Sequence, residues 1–391
     1  MYLLLTTSYK VNMGEKISEN IVFTIIRRGL ELDDEQITLS KEEFDELIRV
    51  GKRQAILPVI YRGFRNLDLP KGAIERIKRL RLEDVYLFMQ REALLEQIQE
   101  CFNKAGISYI LLKGAVICNL YPEPWMRTCS DIDILVHESD LKNAIRILEC
   151  ETELKEKIRN FHDVVMFNNQ VVLELHFSIM ESIDEIDKLL SKVWRYVEYS
   201  KEGTKYRLTP EYQIFHIIAH MSYHIKNGGI GIRQFIDLWF LRNRTRYDEG
   251  IVRSFCDTCG LLKFYETCCA LSDVWFNKIE HTETTKLLEK YCLKGGVFGN
   301  QALAVAGRQR GINEKPYIVQ RLFVKKSVLK EMYPDMKSGG MRMDLFYQIK
   351  RWLRLLDKHK RADAIREIKI ADNVNQKDID AYDRLLSSIG L

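Results

Sequence analysis

The sequence has no long apolar run, and this argues against a protein that spans a membrane. A transmembrane helix needs about 20 consecutive apolar residues, and no stretch of the 391 residues approaches that length. The opening Met1-Tyr-Leu-Leu-Leu-Thr is apolar only as far as Leu5, and no basic segment precedes its apolar part. We therefore predict no signal peptide, no membrane anchor and no membrane partner.

A strong excess of charge of one sign is missing as well. Lysine and arginine total 60 against 55 aspartate and glutamate residues, which gives a net charge of +5. A protein that binds a long nucleic acid usually carries a larger basic excess gathered in one patch. A nucleic-acid partner is therefore not expected.

The nine cysteines lack the even, regular spacing of an extracellular disulfide framework. Cys256-Asp-Thr-Cys259 together with Cys268-Cys269 could suggest a zinc site. However, the second pair is adjacent rather than spaced by two residues, and all of these cysteines fall in helical patterns. We expect buried free thiols and a cytoplasmic location.

The composition supports real hydrophobic cores, because 46% of the residues are hydrophobic. Ser40-Lys-Glu-Glu43 has the pattern of a capping box and predicts a helix to about Val50. Helical spacing continues over 55–64, and a long helix is predicted over 73–105, where Gly106 ends it. We predict an N-terminal helical lobe over residues 1–105, an α/β core over 106–208 and a C-terminal helical domain over 209–391.

The middle part combines apolar runs of strand length with helical patterns. Predicted strands are Tyr109–Leu112, Asp131–Val136, Val164–Phe167 and Val171–Phe177, with helices at about 114–120 and 140–150 and a linking helix at about 186–197. Thr209-Pro210-Glu211 starts a helix to about Lys226. Further helices are predicted over 233–242, 251–259, 261–276, 284–293, 316–332 and 341–370. The predicted fold class is α+β, with a small mixed sheet between helical lobes.

Two carboxylates stand one residue apart at the start of an apolar run. If residues 131–136 form a strand, Asp131 and Asp133 share one face, with Cα atoms about 7 Å apart. That spacing leaves room for a divalent cation between them. Upstream, the strand ending at Leu112 leads into Lys113-Gly114, where backbone amides at a tight turn can meet phosphate.

These segments together resemble a known family. Ile110-Leu-Leu-Lys-Gly-Ala115, Tyr121-Pro122, Arg127 and Ser130-Asp-Ile-Asp-Ile-Leu-Val136 are similar to the signature of the bacterial uncharacterised nucleotidyltransferases. This family is a branch of the DNA polymerase beta-like nucleotidyltransferase superfamily, and the resemblance runs from roughly residue 40 to roughly residue 350. It implies a metal-dependent enzyme that moves a nucleoside monophosphate from a nucleoside triphosphate to a hydroxyl of a small molecule or a protein.

The resemblance also implies roles for individual residues. Asp131 and Asp133 match the superfamily's metal-binding pair, with Mg²⁺ or Mn²⁺ as cofactor. Glu174 is the predicted third carboxylate, because it lies on the polar face of a strand that could neighbour theirs. The predicted nucleotide-binding residues are Lys113, Gly114, Arg127 and Ser130. The superfamily's usual Gly-Ser turn is Gly114-Ala115 in this chain, so either Lys113 replaces the serine hydroxyl as a cation or the phosphates are held differently.

Arg127 has an alternative, since a salt bridge to a nearby acid would also suit it. Candidates for the acceptor cleft are His176, His216, His220, His224, Arg233 and Asp237. The three histidines from 216 to 224 repeat every four residues, so consecutive members share a helix face. Arg233 and Asp237 are i and i+4 on the next predicted helix and could reach the cleft or pair with each other.

Two other functions are compatible with the sequence. One is a module of the same fold that binds a nucleotide or a partner without catalysis, as in a toxin–antitoxin-like pair. The absence of the turn serine is compatible with this function. The other is a zinc-dependent hydrolase built on the histidine repeat, although a zinc site usually takes at most two ligands from one helix. No oligomeric state follows from the pattern.

Overall fold

The N-terminal part of the protein is helical. The computed structural model describes residues 18–160, 162–168, 171–181, 184–296, 323, 324, 326, 329, 333, 341–353, 361, 365 and 376–391. Its first helices are α1 (Glu19–Gly29), α2 (Lys41–Arg53), α3 (Leu57–Gly63) and α4 (Ala73–Ala105). The capping box at Ser40 is confirmed, because the Ser40 side chain and the Glu43 carboxylate each accept from the other residue's backbone N–H. The predicted bounds of α4 are also confirmed.

Among the described residues, one mixed sheet contains β1 (Tyr109–Leu111), β2 (Asp131–Val136), β3 (Lys155–Arg159), β4 (Asp163–Phe167), β5 (Val172–His176), β6 (Val197–Tyr199) and β7 (Lys205–Leu208). The strand order is β3-β4-β5-β2-β1-β7-β6. The pairs β2 with β5 and β1 with β7 are parallel, and the other neighbours are antiparallel. The α+β class and the mixed sheet are therefore confirmed, and each predicted strand is present.

Three further strands were not predicted, and they lie toward the two edges of the sheet. β3 has the sequence Lys-Glu-Lys-Ile-Arg and is exposed along its whole length. It therefore lacks the alternation of apolar and polar residues that indicates a strand, although charged residues are typical of sheet edges. β6 and β7 are only three and four residues long. The linking helix was predicted to reach residue 197, but it ends at Leu190, because Val197 already pairs with Leu208 in the sheet.

Helices occupy the remaining described segments. Within the sheet region these are α5 (Gly114–Ile117), a 3-10 turn (Cys118–Leu120), α6 (Leu141–Glu151) and α7 (Asp184–Leu190). After it come α8 (Pro210–Lys226), α9 (Ile232–Arg244), α10 (Glu249–Thr258), α11 (Leu262–Asn277), α12 (Glu283–Lys294), α13 (Met341–Leu353) and α14 (Gln376–Ile389). The predicted helix at 316–332, and the predicted continuation beyond residue 353, fall largely outside the described residues. In the described part of the chain, no helix has the length and apolar character to cross a membrane.

The two faces of the sheet pack against different cores. Ile132, Ile134, Leu173 and Leu175 point to one face, where they pack with the second half of α4 and with α6. On the other face Leu135 joins a larger core that includes residues of α1 to α3 and α8 to α12. Because side chains alternate along a strand, Asp131 and Asp133 lie on the same face as Leu135. The division into three domains stays a prediction.

Candidate active site

The pairing of β2 with β5 brings the predicted acidic residues together. Asp133 and Glu174 are direct Cα partners in this parallel pair, and Asp131 is the partner of Val172. The expectation that Glu174 lies on a strand next to the Asp131–Asp133 strand is confirmed. The intervening Leu173 and Leu175 are fully buried on the opposite face, so the polar side chains emerge on one side only.

Asp133 is the centre of the contacts in this cluster. Its Oδ1 atom lies 2.9 Å from Nζ of Lys113 and 3.0 Å from Nε2 of His176. The same Nε2 atom is 3.7 Å from Oε2 of Glu174. Ligand atoms of Asp133, Glu174 and His176 lie within 4.8 Å of one another, so they could hold a metal ion together. Asp131 is not a member of such a group of three among the described residues.

Burial and neighbouring charges give the three carboxyl groups different pKa values. Burial raises the pKa of Asp133, but the charges of Lys113 and His176 outweigh burial and hold this pKa below its usual range. Burial and the charge of Asp133 raise the pKa of Glu174 to about 8 and also raise the pKa of Asp131. In this state Asp133 is an anion at neutral pH and Glu174 holds a proton, so a cation would bind there by releasing that proton.

Lys113 occupies a turn whose backbone is unusual for a residue with a side chain. Its φ is 43° and its ψ is −115°, a sparsely populated combination of the kind that is often found at functional sites. Burial acts to lower the pKa of Lys113, but Asp133, Glu174 and Glu181 outweigh it and raise this pKa, so the side chain stays charged. The following amides of Ala115 and Val116 donate to Leu112 O and Lys113 O within the turn.

Gly114 is required by a close approach of side chains. A Cβ atom at this position would collide with Nη1 of Arg127 and with Sγ of Cys129. Ser130 is exposed directly before β2. The predicted nucleotide-binding residues therefore surround the turn at the entrance of β2.

Arg127 forms an ion pair with an acidic residue, which is the alternative that the sequence also allows. Its Nε and Nη2 atoms donate to the two carboxylate oxygens of Asp237 at 2.9 and 2.7 Å. The Tyr121 hydroxyl donates to the same carboxylate at 2.8 Å. All three side chains are buried. Asp237 thus pairs with Arg127 rather than with Arg233, whose Nη1 atom donates to the carbonyl oxygen of Thr128 at 3.0 Å.

The histidine repeat lies on α8, which packs in the core on the acidic face of the sheet. Nδ1 of His220 is 2.8 Å from Oε1 of Glu181, and Nε2 of His220 is 2.9 Å from Nε2 of His224. The side-chain Nε2 of His216 is buried and has no hydrogen-bond partner among the described residues. Burial and, to a smaller extent, the charge of Lys113 lower the pKa of His216 to about 3. These imidazoles are neutral at physiological pH.

Several charged residues beside the acidic pair were not predicted from the sequence. Glu181 follows β5 in a loop without a recognisable motif and is buried. His162, Asp163 and His176 form a second group whose ligand atoms lie within 4.8 Å of one another. Asp163 directly precedes the apolar run Val164–Phe167, where an acidic residue is common and carries no functional signal. His162 precedes β4 and carried no signal of its own.

The histidine repeat and the cysteines do not form a group of three or more metal ligands in the part of the chain that the structure describes. The nine cysteines are free thiols. Among the described residues, the groups that could hold a metal ion are therefore the two that share His176. The zinc-hydrolase prediction gains no supporting observation from this geometry.

Comparison with known families identifies one family for this chain. A family model described as uncharacterised nucleotidyltransferase matches residues 40–277, which is more than half of the chain. The chain belongs to this family. The matched segment contains the whole sheet, the turn at Gly114 and α8, but it ends before residue 350. Neither a search of curated proteins nor a search of solved structures found a match.

Proposed function

We propose that this member of the nucleotidyltransferase family transfers a nucleoside monophosphate from a nucleoside triphosphate to a hydroxyl group of a small molecule or a protein, with pyrophosphate as the leaving group. The observation that carries the proposal is the register of β2 and β5, which sets the carboxyl groups of Asp133 and Glu174 side by side next to the Lys113-Gly114 turn. We also infer that the family is a bacterial branch of the DNA polymerase beta-like superfamily. Free thiols suit a cytoplasmic enzyme.

The residues present fit a divalent cation such as Mg²⁺ or Mn²⁺. Asp131, Asp133 and Glu174 would supply carboxylate oxygens, the ligand type that these ions prefer. In this state the Lys113 ammonium contacts Asp133, so it would have to move aside when the cation binds. When bound, the cation would neutralise phosphate charge and make the acceptor hydroxyl more acidic.

The protein's own residues supply the remaining parts of the mechanism. Lys113 is a charged donor beside Gly114, where it could bind a phosphate oxygen once it releases Asp133. Ser130 adds an exposed hydroxyl at the same turn. Arg127 and Asp237 hold the segment before β2 in place through their buried ion pair. Glu174 holds its own proton up to about pH 8 in this state. Once Glu174 has lost that proton, its carboxylate would accept the proton of the acceptor hydroxyl.

The acceptor would enter on the side of α8. His220 and His224 are partly exposed and point their hydrogen-bonding atoms toward each other and Glu181. Such groups can orient a hydroxyl of a small molecule or of a protein side chain. The net charge of +5 offers little support for a long nucleic-acid acceptor.

The test is a screen of radiolabelled ATP, CTP, GTP and UTP with cell extract and Mg²⁺ or Mn²⁺. We expect one labelled acceptor with wild-type protein, and we expect it to disappear with Asp133→Asn. Glu198→Gln is the control, because Glu198 lies on β6 of the same sheet and its ion-pair partner among the described residues is the exposed Arg207. Label transfer that persists in Asp133→Asn would contradict the proposal.

A silent binding module is the second candidate, and a specific contact favours it. The Lys113 ammonium already neutralises Asp133, as it would in a site that never binds a metal ion. Calorimetry with the four triphosphates separates the two functions. Metal-independent nucleotide binding, together with no label transfer, would favour the module. Metal-dependent binding that Asp131→Asn abolishes would favour the enzyme.

A further inference from the structure

We propose that His176 is a direct ligand of the catalytic cation, so that the site prefers Mn²⁺ or another first-row transition-metal ion to Mg²⁺. This inference rests on the proposed function for one point, which is the position of the cation beside Asp133 and Glu174. It adds a nitrogen ligand to a set that the sequence predicts to be all oxygen. His176 was predicted only as a candidate for the acceptor cleft.

The spacing of the donor atoms supports this ligand set. Nε2 of His176 lies 3.0 Å from Oδ1 of Asp133 and 3.7 Å from Oε2 of Glu174. Two neighbouring ligands of an ion with bonds of about 2.1 Å are separated by about 3 Å. His176 follows Glu174 by two residues on β5, so both side chains emerge on the same face of the sheet. Little rearrangement is needed for the three groups to converge on one ion.

The identity of the ligands determines the choice of metal. Mg²⁺ demands oxygen ligands in a near-ideal octahedron, whereas imidazole suits transition-metal ions. Asp131, which would complete an all-oxygen set, lies outside the group of three that contains Asp133. His176 is the third member instead, and only 6% of its surface is exposed. Its Nε2 atom is thus the third ligand atom that lies close to the carboxyl groups of Asp133 and Glu174.

The neighbouring group of His162, Asp163 and His176 is a competing location for the same ion. His176 belongs to both groups, but the groups differ in their carboxyl groups. Asp133 and Glu174 are two adjacent carboxyl groups, whereas the other group contains only Asp163. Because two carboxylates can offer a divalent cation more negative charge than one, the Asp133–Glu174 group is the favoured location.

The experiment uses Mn²⁺ alone as the probe, with the full chain. Pulsed electron paramagnetic resonance on bound Mn²⁺ detects coupling to a ligand nitrogen directly and does not depend on catalytic activity. We expect nitrogen coupling in the wild type and its loss in His176→Gln, together with at least a tenfold weaker Mn²⁺ affinity. We expect His176→Asp to restore an all-oxygen set and to lower the Mn²⁺ to Mg²⁺ affinity ratio at least tenfold. Circular dichroism checks that both variants fold.

Asp163→Asn and Glu174→Gln are the paired variants that locate the ion. Mn²⁺ affinity should fall in Glu174→Gln and stay close to the wild type in Asp163→Asn, and the opposite result would overturn the assignment. Bound Mn²⁺ without nitrogen coupling in the wild type would show that His176 only positions Asp133 through its hydrogen bond. Failure of the proposed function is distinguishable, because nitrogen coupling without any label transfer would leave the His176 assignment standing.

Discussion

Replacing Asp237 with asparagine should destabilise the fold by about 3–5 kcal/mol, because the Arg127 guanidinium would remain buried without a counter-charge. Only 2% of the Asp237 surface and 6% of the Arg127 surface are exposed. The variant would weaken two charge-assisted hydrogen bonds, at 2.9 and 2.7 Å, and the bond from Tyr121. Urea unfolding followed by circular dichroism measures the change in the free energy of unfolding.

Two control variants calibrate this loss. Tyr121→Phe removes one hydrogen bond to the Asp237 carboxylate and should cost about 1.5–3 kcal/mol. Glu198→Gln breaks an exposed ion pair with Arg207 and should change stability by less than about 1 kcal/mol. A loss below about 1 kcal/mol in Asp237→Asn would refute the conclusion that the ion pair holds the segment before β2.

The role of Arg127 itself is tested by Arg127→Lys. A lysine cannot make the bidentate contact with Asp237. If the ion pair is structural, stability and nucleotide affinity should fall together in this variant. If Arg127 instead contacts phosphate, nucleotide affinity should fall while the free energy of unfolding stays close to that of the wild type.

Three other results are expected. Lys113→Met should raise Mn²⁺ affinity about tenfold, because the ammonium that contacts Asp133 competes with the cation. The same variant should lower nucleotide affinity, because the ammonium would attract phosphate. Calorimetry that finds both affinities rising or both falling would contradict this prediction. Since the pKa of Glu174 is about 8, Mn²⁺ affinity should rise by up to about tenfold per pH unit from pH 6 to 8 and level off above, and Glu174→Gln should flatten this rise. Burial lowers the pKa of His216 from the ordinary 6.5 to about 3, so the unfolded chain binds a proton that the folded chain does not, and His216 lowers stability by up to about 1.4 kcal/mol per pH unit as pH falls from 6.5 toward 3. The pKa values of His220 and His224 are lowered as well. His216→Asn should therefore reduce the slope measured by urea unfolding by the share of one histidine and leave the rest.

Much of the fold was predictable where the sequence carries local signals. The helix starts at Ser40 and Thr209 depend on a side chain that caps its own helix, and the end of α4 depends on Gly106 with a φ of 69°. β2 was predicted with its observed bounds because its apolar residues form a run in the sequence. Five of its six residues are buried in the structure. β3, in contrast, is exposed along its length, so its pairing with β4 left no hydrophobic pattern to detect.

The candidate site was predictable only in part, for a similar physical reason. Asp131, Asp133 and Glu174 could be assigned to one face because alternation along a strand is a local rule. The contact of Arg127 with Asp237 joins residues 110 positions apart, and the contact of Glu181 with His220 joins a loop to a helix. Such pairs depend on how the elements pack, and no spacing in the sequence encodes them. The sequence therefore does not distinguish an Arg127 that binds phosphate from one that pairs with an acidic residue. The packing of α9 places Asp237 beside Arg127.

The apolar face of the sheet explains why the acidic cluster can hold a defined geometry. Shifting β2 by one residue against β5 would move Ile132 and Ile134 out of the core beneath the sheet and would put Asp133 into it. The buried leucines of β5 impose the same restriction from the other strand. The register that sets Asp133 beside Glu174 is thus fixed by hydrophobic burial on the opposite face. The carboxyl groups of Asp133 and Glu174 are therefore held side by side before any cation arrives, and a cation that displaces the Glu174 proton would bind without having to organise the site first.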